Sequence, residues 1–169
     1  MVDLAAAGEP WASSLATGFQ YGDGAPDRAK WEASARQPYR VTGKWESVLA
    51  SSEIELISSG YIWTEGPVWV PKEKALYYTD VPAGCIYRWT ADGGAKLHVR
   101  DGGGWDGSNV DDIESRAEPG SNGMALDPDG EHVYVCQHPL RRVIRVKLGA
   151  ITPGTRMCDN EEHFTVVAD

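Results

Sequence analysis

From Gly66 onward, short apolar runs alternate with turn residues, and the alternation repeats itself along the chain. Runs rich in Val, Ile, Tyr and Trp, separated by clusters of Pro, Gly, Asp and Lys, read as short β-strands joined by tight turns. The pattern predicts strands near Gly66–Val70, Ala75–Asp80, Cys85–Thr90 and Lys96–Arg100, then near Gly123–Asp127, His132–Gln137, Arg142–Leu148 and Phe164–Ala168. The stretch Gly66–Trp89 lies on Gly123–Val146 without a gap, at a constant offset of 57 residues. Gly66/Gly123, Pro71/Pro128, Tyr77/Tyr134, Pro82/Pro139 and Arg88/Arg145 are identical, and Val68/Ala125, Trp69/Leu126, Leu76/Val133, Ile86/Val143 and Tyr87/Ile144 stay apolar. The turn sequences Pro-Lys-Glu-Lys and Pro-Asp-Gly-Glu fall at equivalent points.

Four short strands per unit, repeated, predict an all-β protein built from β-propeller blades, whose faces are buried only when neighbouring units stack. An ordinary β-sandwich with similar hairpins is the alternative, and the gapless register argues against it. The repeat is longer than a typical blade of ~40–50 residues, and the excess sits in Asp101–Gly120, which has the composition of a surface loop. Its acidic residues lack EF-hand spacing, and its Gly-Gly-Gly run precedes neither Lys-Ser/Thr nor a helical pattern, so neither a calcium loop nor a phosphate cradle is predicted.

Two such units fall short of the roughly four that a closed propeller needs. The chain therefore reads as the N-terminal part of a longer protein, a truncated propeller domain over residues 53–169 whose second unit exposes an apolar side. Residues 1–52 read as a partly irregular extension in which Trp11, Phe19, Tyr21, Trp31 and Trp45 would dock on a core. Within it, Tyr39–Leu49 reads as a strand or a short helix; after it, Ile54–Ser58 reads as a strand that completes a closing blade.

A net charge of −9 and the lack of any basic run argue against nucleic acid or an anionic membrane as partner. No apolar stretch is long enough to span a membrane, and no secretory signal pattern precedes Glu9 and Pro10, so a cytoplasmic location is expected. Cys85, Cys136 and Cys158 form no Cys-x-x-Cys pair and read as buried structural thiols.

The chemistry concentrates where the two units begin, at Trp63-Thr64-Glu65-Gly66-Pro67 and Gly120-Ser121-Asn122-Gly123-Met124. The repeat makes Glu65 and Asn122 equivalent, and in a propeller these positions open the innermost strand. A ring of Glu, Asn and Asp oxygens around an axis suits a hard divalent cation. Alternatively, Glu65 merely caps its own turn. Metalloprotease, nucleophile-elbow and Cys-x-x-Cys signatures are absent.

These openings, together with Leu76-Tyr77-Tyr78-Thr79-Asp80-Val81-Pro82, Ile86-Tyr87-Arg88-Trp89, Asp127-Pro128-Asp129-Gly130, Cys136-Gln137-His138 and Arg141-Arg142-Val143-Ile144-Arg145, resemble the regucalcin, gluconolactonase and luciferin-regenerating enzyme family from about Trp63 to Asp169. The resemblance implies a six-bladed propeller holding one divalent cation (calcium, zinc or magnesium) in its central channel, and hydrolysis of a sugar or related lactone. It matches Glu65 to the family's first-blade metal ligand, and Asn122 and His138 to residues lining the cavity near the substrate. Gln137 departs from the acidic residue more usual there. The remaining ligands and the acid that activates water are expected beyond Asp169, so catalytic residues are not assigned and this stretch alone should catalyse little. A non-catalytic propeller that binds calcium or a partner protein is the competing reading, and a strictosidine-synthase-like propeller a weaker third.

Overall fold

The computed structural model describes residues 55–104 and 118–169. The reading of Tyr39–Leu49, the boundary at 52/53 and most of the Asp101–Gly120 insertion lie outside the described residues. Residues 55–60 carry no strand, contrary to the expectation for Ile54–Ser58. A strand exists only through its ladder, and no described strand offers them one.

Among the described residues, nine strands follow in chain order: β1 (Thr64–Val70), β2 (Ala75–Asp80), β3 (Cys85–Thr90), β4 (Gly94–Arg100), β5 (Ser121–Leu126), β6 (Val133–Gln137), β7 (Arg142–Val146), β8 (Thr155–Arg156) and β9 (Phe164–Ala168). They form two sheets, β1-β2-β3-β4-β8 and β5-β6-β7-β9. Each begins as an antiparallel meander, and the second repeats the ladder of the first. The pairs Leu76↔Trp89, Tyr77↔Arg88, Tyr78↔Tyr87, Thr79↔Ile86 and Asp80↔Cys85 recur, 57 residues on, as Val133↔Val146, Tyr134↔Arg145, Val135↔Ile144, Cys136↔Val143 and Gln137↔Arg142.

Even the irregularities recur. A bulge follows Glu65 in β1, and its counterpart lies between Ser121 and Met124 in β5. Another falls between Ile86 and Tyr87 in β3 and between Val143 and Ile144 in β7. A bulge inserts one unpaired residue and bends its strand, so both first strands bend at their Gly-containing openings.

The sheets pack in one sense, the face of the first on the back of the second. The first contributes Val68, Val70, Ala75, Tyr77, Ile86 and Val99 to the core, whereas the second contributes Val133, Val135, Ile144 and Val146, with Met124 and Leu126 packed alongside. The latter six correspond, by the offset, to Leu76, Tyr78, Tyr87, Trp89, Pro67 and Trp69, which point to the other side of the first sheet. Each fully buried Val or Ile contributes about 1.5–3 kcal/mol.

One crossover escapes the repeat. After β7, which ends at Val146 rather than at Leu148, the chain forms a 3-10 turn at Leu148–Ala150 and crosses to the first sheet. There β8 pairs in parallel with β4, and Leu148, Ile151 and Met157 seal the core. His98 Nε2 lies 2.8 Å from Leu148 O, the amide of Gly154 donates to His98 O at 2.7 Å, and Arg156 pairs with Asp101. The first sheet thus gains a fifth strand over its outer edge, an arrangement that protects edges from foreign pairing.

All three cysteines are free, but only Cys85 is buried. Its thiol donates to Ala83 O at 3.2 Å, and burial pushes its pKa up to about 12, so it is inert. The expectation of burial fails for Cys136, which is exposed, and for Cys158, which is half-buried. Cys136 points to the side of the second sheet over which the described residues place no further layer.

Candidate functional site

Strand direction gathers the candidate residues at one rim. β1 and β5 start there, β2 and β6 end there, and Asp101 and Gly120 bring the insertion out of and back to the same rim. Glu65, Asn122, Gln137 and His138 therefore share it, together with Trp63, Asp80 and Glu118. The Pro71 and Pro128 turns occupy the opposite rim.

Glu65 is half-buried, and its Oε1 accepts a hydrogen bond from Trp63 Nε1 at 2.9 Å. Trp63 is itself held through its backbone. Its amide donates to Asp80 Oδ1 at 3.1 Å, its carbonyl accepts from the Val81 amide at 3.0 Å, and the neighbouring Ile62 amide donates to Asp80 Oδ2 at 3.0 Å. Asp80 is only 2 % exposed, and burial raises its carboxyl pKa against the lowering effect of these amides. The buried carboxylate at the end of β2 thus fixes the strand opening from which Glu65 projects.

Gly66 sits in the left-handed region at φ 54°. A Cβ there would collide with Asn122 O and lie 2.9 Å from Met124 N. The bend after Glu65 therefore rests directly on the backbone of the Asn122 bend, an approach only glycine allows. Ser121, just ahead of Asn122, is fully buried, with Thr79 Oγ1 donating to its carbonyl at 2.9 Å and its own hydroxyl donating to Thr79 Oγ1 at 3.2 Å. The structure brings Glu65 and Asn122 onto adjoining strand openings, as their equivalence predicts.

His138 opens the β6–β7 hairpin, where its carbonyl accepts from the Arg141 amide at 3.1 Å. Its Nδ1 is shielded from solvent without a hydrogen-bond partner among the described residues and lies 3.5 Å from Glu118 Oε2. Gln137 is buried, not a rim acid: its Nε2 donates to Gly102 O at 3.0 Å, and Arg142 Nε donates to its Oε1 at 2.6 Å. It closes the base of the insertion, as its counterpart Asp80 closes the opening of β1.

Sequence reasoning did not single out Trp63, Asp80 or Glu118. The equivalence of Asp80 with Gln137 offered a signal for Asp80, since both side chains end a second strand; Trp63 is tied to it only by folding. Glu118 had none, because only folding of the insertion's end against the β6–β7 hairpin sets it beside His138.

At the opposite rim, Glu131 bridges the sheets by accepting from Lys72 and Lys147, each at 2.9 Å, and these two cations lower its pKa to about 2. A cavity of about 200 Å³ lined by Val70, Lys72, Glu73, Gly130, Glu131 and Lys147 lies there. Lys72 and Lys147 are paired with Glu131, and Glu73 is engaged by Tyr77 and Arg88 from beside it.

No three His, Cys, Asp or Glu side chains among the described residues are grouped to hold a metal. Glu65 and Asn122 supply oxygen donors of the type hard cations take, but two side chains fall well short of the about six to eight oxygens calcium requires. The donor chemistry fits a cation; the described donors make up only part of its sphere.

The SMP-30/Gluconolactonase/LRE-like region matches residues 63–161. The gluconolactonase of Zymomonas mobilis subsp. mobilis is 36% identical over 98 residues, which are 57% of this chain and 26% of that protein. This chain thus spans about a quarter of that relative's length. An X-ray structure from a structural genomics programme, described as a gluconolactonase, is 27% identical and covers 67% of this chain and 29% of its own, with a TM-score of 0.44. A gluconolactonase from Xanthomonas campestris described as important in glucose secondary metabolic pathways is 21% identical, covering 53% and 24%, with a TM-score of 0.40. The assignment rests on the sequence matches and not on these superpositions: the chain belongs to the SMP-30/gluconolactonase/LRE-like family.

Proposed function

We propose that this chain contributes two blades to a closed, six-bladed β-propeller that hydrolyses a sugar lactone or a related lactone with one divalent cation. The observation that carries this reading is the contact of the Glu65 and Asn122 openings at Gly66, which sets two oxygen-bearing side chains on adjoining first strands. Family membership and the gluconolactonase relatives support the reaction class.

Glu65 would hold the cation, calcium, zinc or magnesium, through the oxygen that Trp63 leaves free. When bound, the cation would polarise the lactone carbonyl. Asn122 would orient the substrate through its amide, and His138 would line the cavity near the substrate at the same rim. Buried Asp80 keeps the Trp63 segment rigid, so the Glu65 carboxylate does not have to be ordered when the ligands arrive.

Calorimetry with calcium, zinc and magnesium, coupled to a lactone-hydrolysis assay, tests the reading. In the protein that carries this sequence, Glu65→Gln should lower cation affinity at least about tenfold and turnover with it. Unchanged affinity would remove Glu65 from the site. A second reading, a propeller that binds a cation or a partner protein without catalysis, rests on one fold serving many functions. Cation binding without turnover of any lactone would favour it.

A further inference from the structure

The opening of β1 holds its oxygen donor in a way that the opening of β5 does not. Trp63 stands two residues ahead of Glu65, the spacing that puts side chains on one side of a strand, and its indole Nε1–H donates to Glu65 Oε1 at 2.9 Å. Glu65 Oε2 accepts no hydrogen bond among the described residues. At the second opening the matching residues are Gly120 and Asn122, so the position that holds Glu65 carries no side chain beside Asn122.

The turn itself does not require the indole. Gly120 builds the equivalent opening without a side chain: its amide donates to Val81 O at 3.0 Å, and a Cβ there would lie 2.6 Å from that oxygen. The Trp63 backbone is likewise anchored independently of its ring, with its amide donating to Asp80 Oδ1 at 3.1 Å and its carbonyl accepting from the Val81 amide at 3.0 Å. What the ring adds is a fixed N–H donor beside Glu65, on a residue that remains 39 % exposed.

A donor on one carboxylate oxygen acts on both. It occupies a lone pair of Oε1, stabilises negative charge there and ties the carboxylate plane to the indole, so Oε2 is the oxygen left to bind a ligand. Cations differ in their response to such a group. Calcium takes one or both oxygens of a carboxylate at about 2.3–2.6 Å, whereas magnesium and zinc bind at about 2.0–2.2 Å with fewer ligands in stricter geometry.

We propose that Trp63 is a positioning residue that makes Glu65 a one-oxygen ligand and so biases the rim toward the smaller divalent cations. The inference deepens the cation-dependent lactonase reading and rests on it for the presence of a cation at Glu65. Trp63 takes part in no step of hydrolysis; it sets which ion the opening of β1 prefers, by withholding the second oxygen that calcium can use.

Calorimetry with calcium, magnesium and zinc, in the protein that carries this sequence, compares the parent with Trp63→Phe, which keeps a ring at the position and removes the N–H donor. Freeing Oε1 should cost the smaller ions about tenfold in affinity and calcium clearly less, moving the preference toward calcium by at least about threefold. A purely structural role for Trp63 would weaken all three alike. Equal losses, an unchanged preference, or a parent that binds calcium alone overturns the proposal and leaves Glu65 as a ligand. A parent that binds none of the three overturns the cation reading, and the proposal with it.

The indole ¹H–¹⁵N signal of Trp63, assigned by its loss in Trp63→Phe or Trp63→Leu, tests the bond in the parent itself. It should lie downfield and stay there as the favoured cation saturates, because ion and indole use different oxygens. An upfield move on saturation would mean that the ion takes Oε1 from the indole, and overturns the proposal.

Discussion

The two sheets share one plan of ladders, bulges and turns, yet they hold it under opposite conditions. In the first, Tyr77 is fully buried, its hydroxyl donates to Glu73 Oε2 at 2.6 Å, and Arg88 Nε donates to that hydroxyl at 3.2 Å. In the second, the equivalent Tyr134 and Arg145 meet an acid again, now Asp127 from the other side of the turn, with Arg145 Nε donating to Asp127 Oδ2 at 2.7 Å. Tyrosine, arginine and carboxylate persist while the residue supplying the acid changes. What differs is the cover. Val68, Tyr77, Thr79 and Ile86 lie beneath the second sheet, whereas Ala125, Tyr134, Cys136 and Val143 face away from the first. One repeated sequence pattern therefore yields a core on one side and a surface on the other, because burial belongs to the stacking of sheets and not to the sheet.

The sharpest way to break the comparison is at its paired glycines. Gly66→Ala forces a side chain into a left-handed position against the Asn122 backbone, and we expect a loss of about 3 kcal/mol or more in urea unfolding. Gly123→Ala meets nothing closer than Cys136 Sγ at 3.9 Å and should leave the midpoint nearly unchanged. Equal effects would mean that the openings of β1 and β5 do not touch as described.

Ile86→Ala should cost about 2–4 kcal/mol, because its site is closed on all sides. Val143→Ala, at the matching but half-covered position, should cost clearly less by the same denaturant measurement. Tyr77→Phe comes next, at about 1–2 kcal/mol, since it strips a buried bond from Glu73 and Arg88. Tyr134→Phe should barely move the transition.

The smallest expected effect is a pH dependence confined to the first sheet. His98 is 4 % exposed, and burial lowers its pKa below the ordinary 6.5. Around it, Arg88 pushes in the same direction, while the bond to Leu148 O and the charge of Glu73 push back. Because the folded state resists the proton, the stability is complete above about 6.5 and is lost as pH falls through that value toward the lower folded-state pKa. The matching residue in β9, two positions before Asp169, is exposed Val167, which has nothing to titrate. His98→Gln should flatten the slope of midpoint against pH in this window; an unchanged slope would place the titration elsewhere.

Much of the fold was legible because a β-ladder repeats what its sequence repeats. Period-2 runs, turn residues at fixed offsets and the equivalence of Glu65 with Asn122 follow from local pattern, and they located eight of the nine described strands. β8 was not legible: its two residues carry no strand pattern, and their pairing with β4 depends on a crossover between sheets. The burial of Cys136 was misjudged for a related reason, since alternation tells which residues share a side but not which side is covered.

The sequence by itself determined the repeat, the strand openings at Glu65 and Asn122, and the acidic character of the chain, since these depend on neighbouring residues and composition alone. Only the tertiary structure decided that the sheets stack face on back, that Gly66 rests on Asn122, that Asp80 holds Trp63, and that Glu118 reaches His138. Those contacts join residues far apart in the chain or on different sheets, and their geometry exists only after the backbone has bent, crossed and packed.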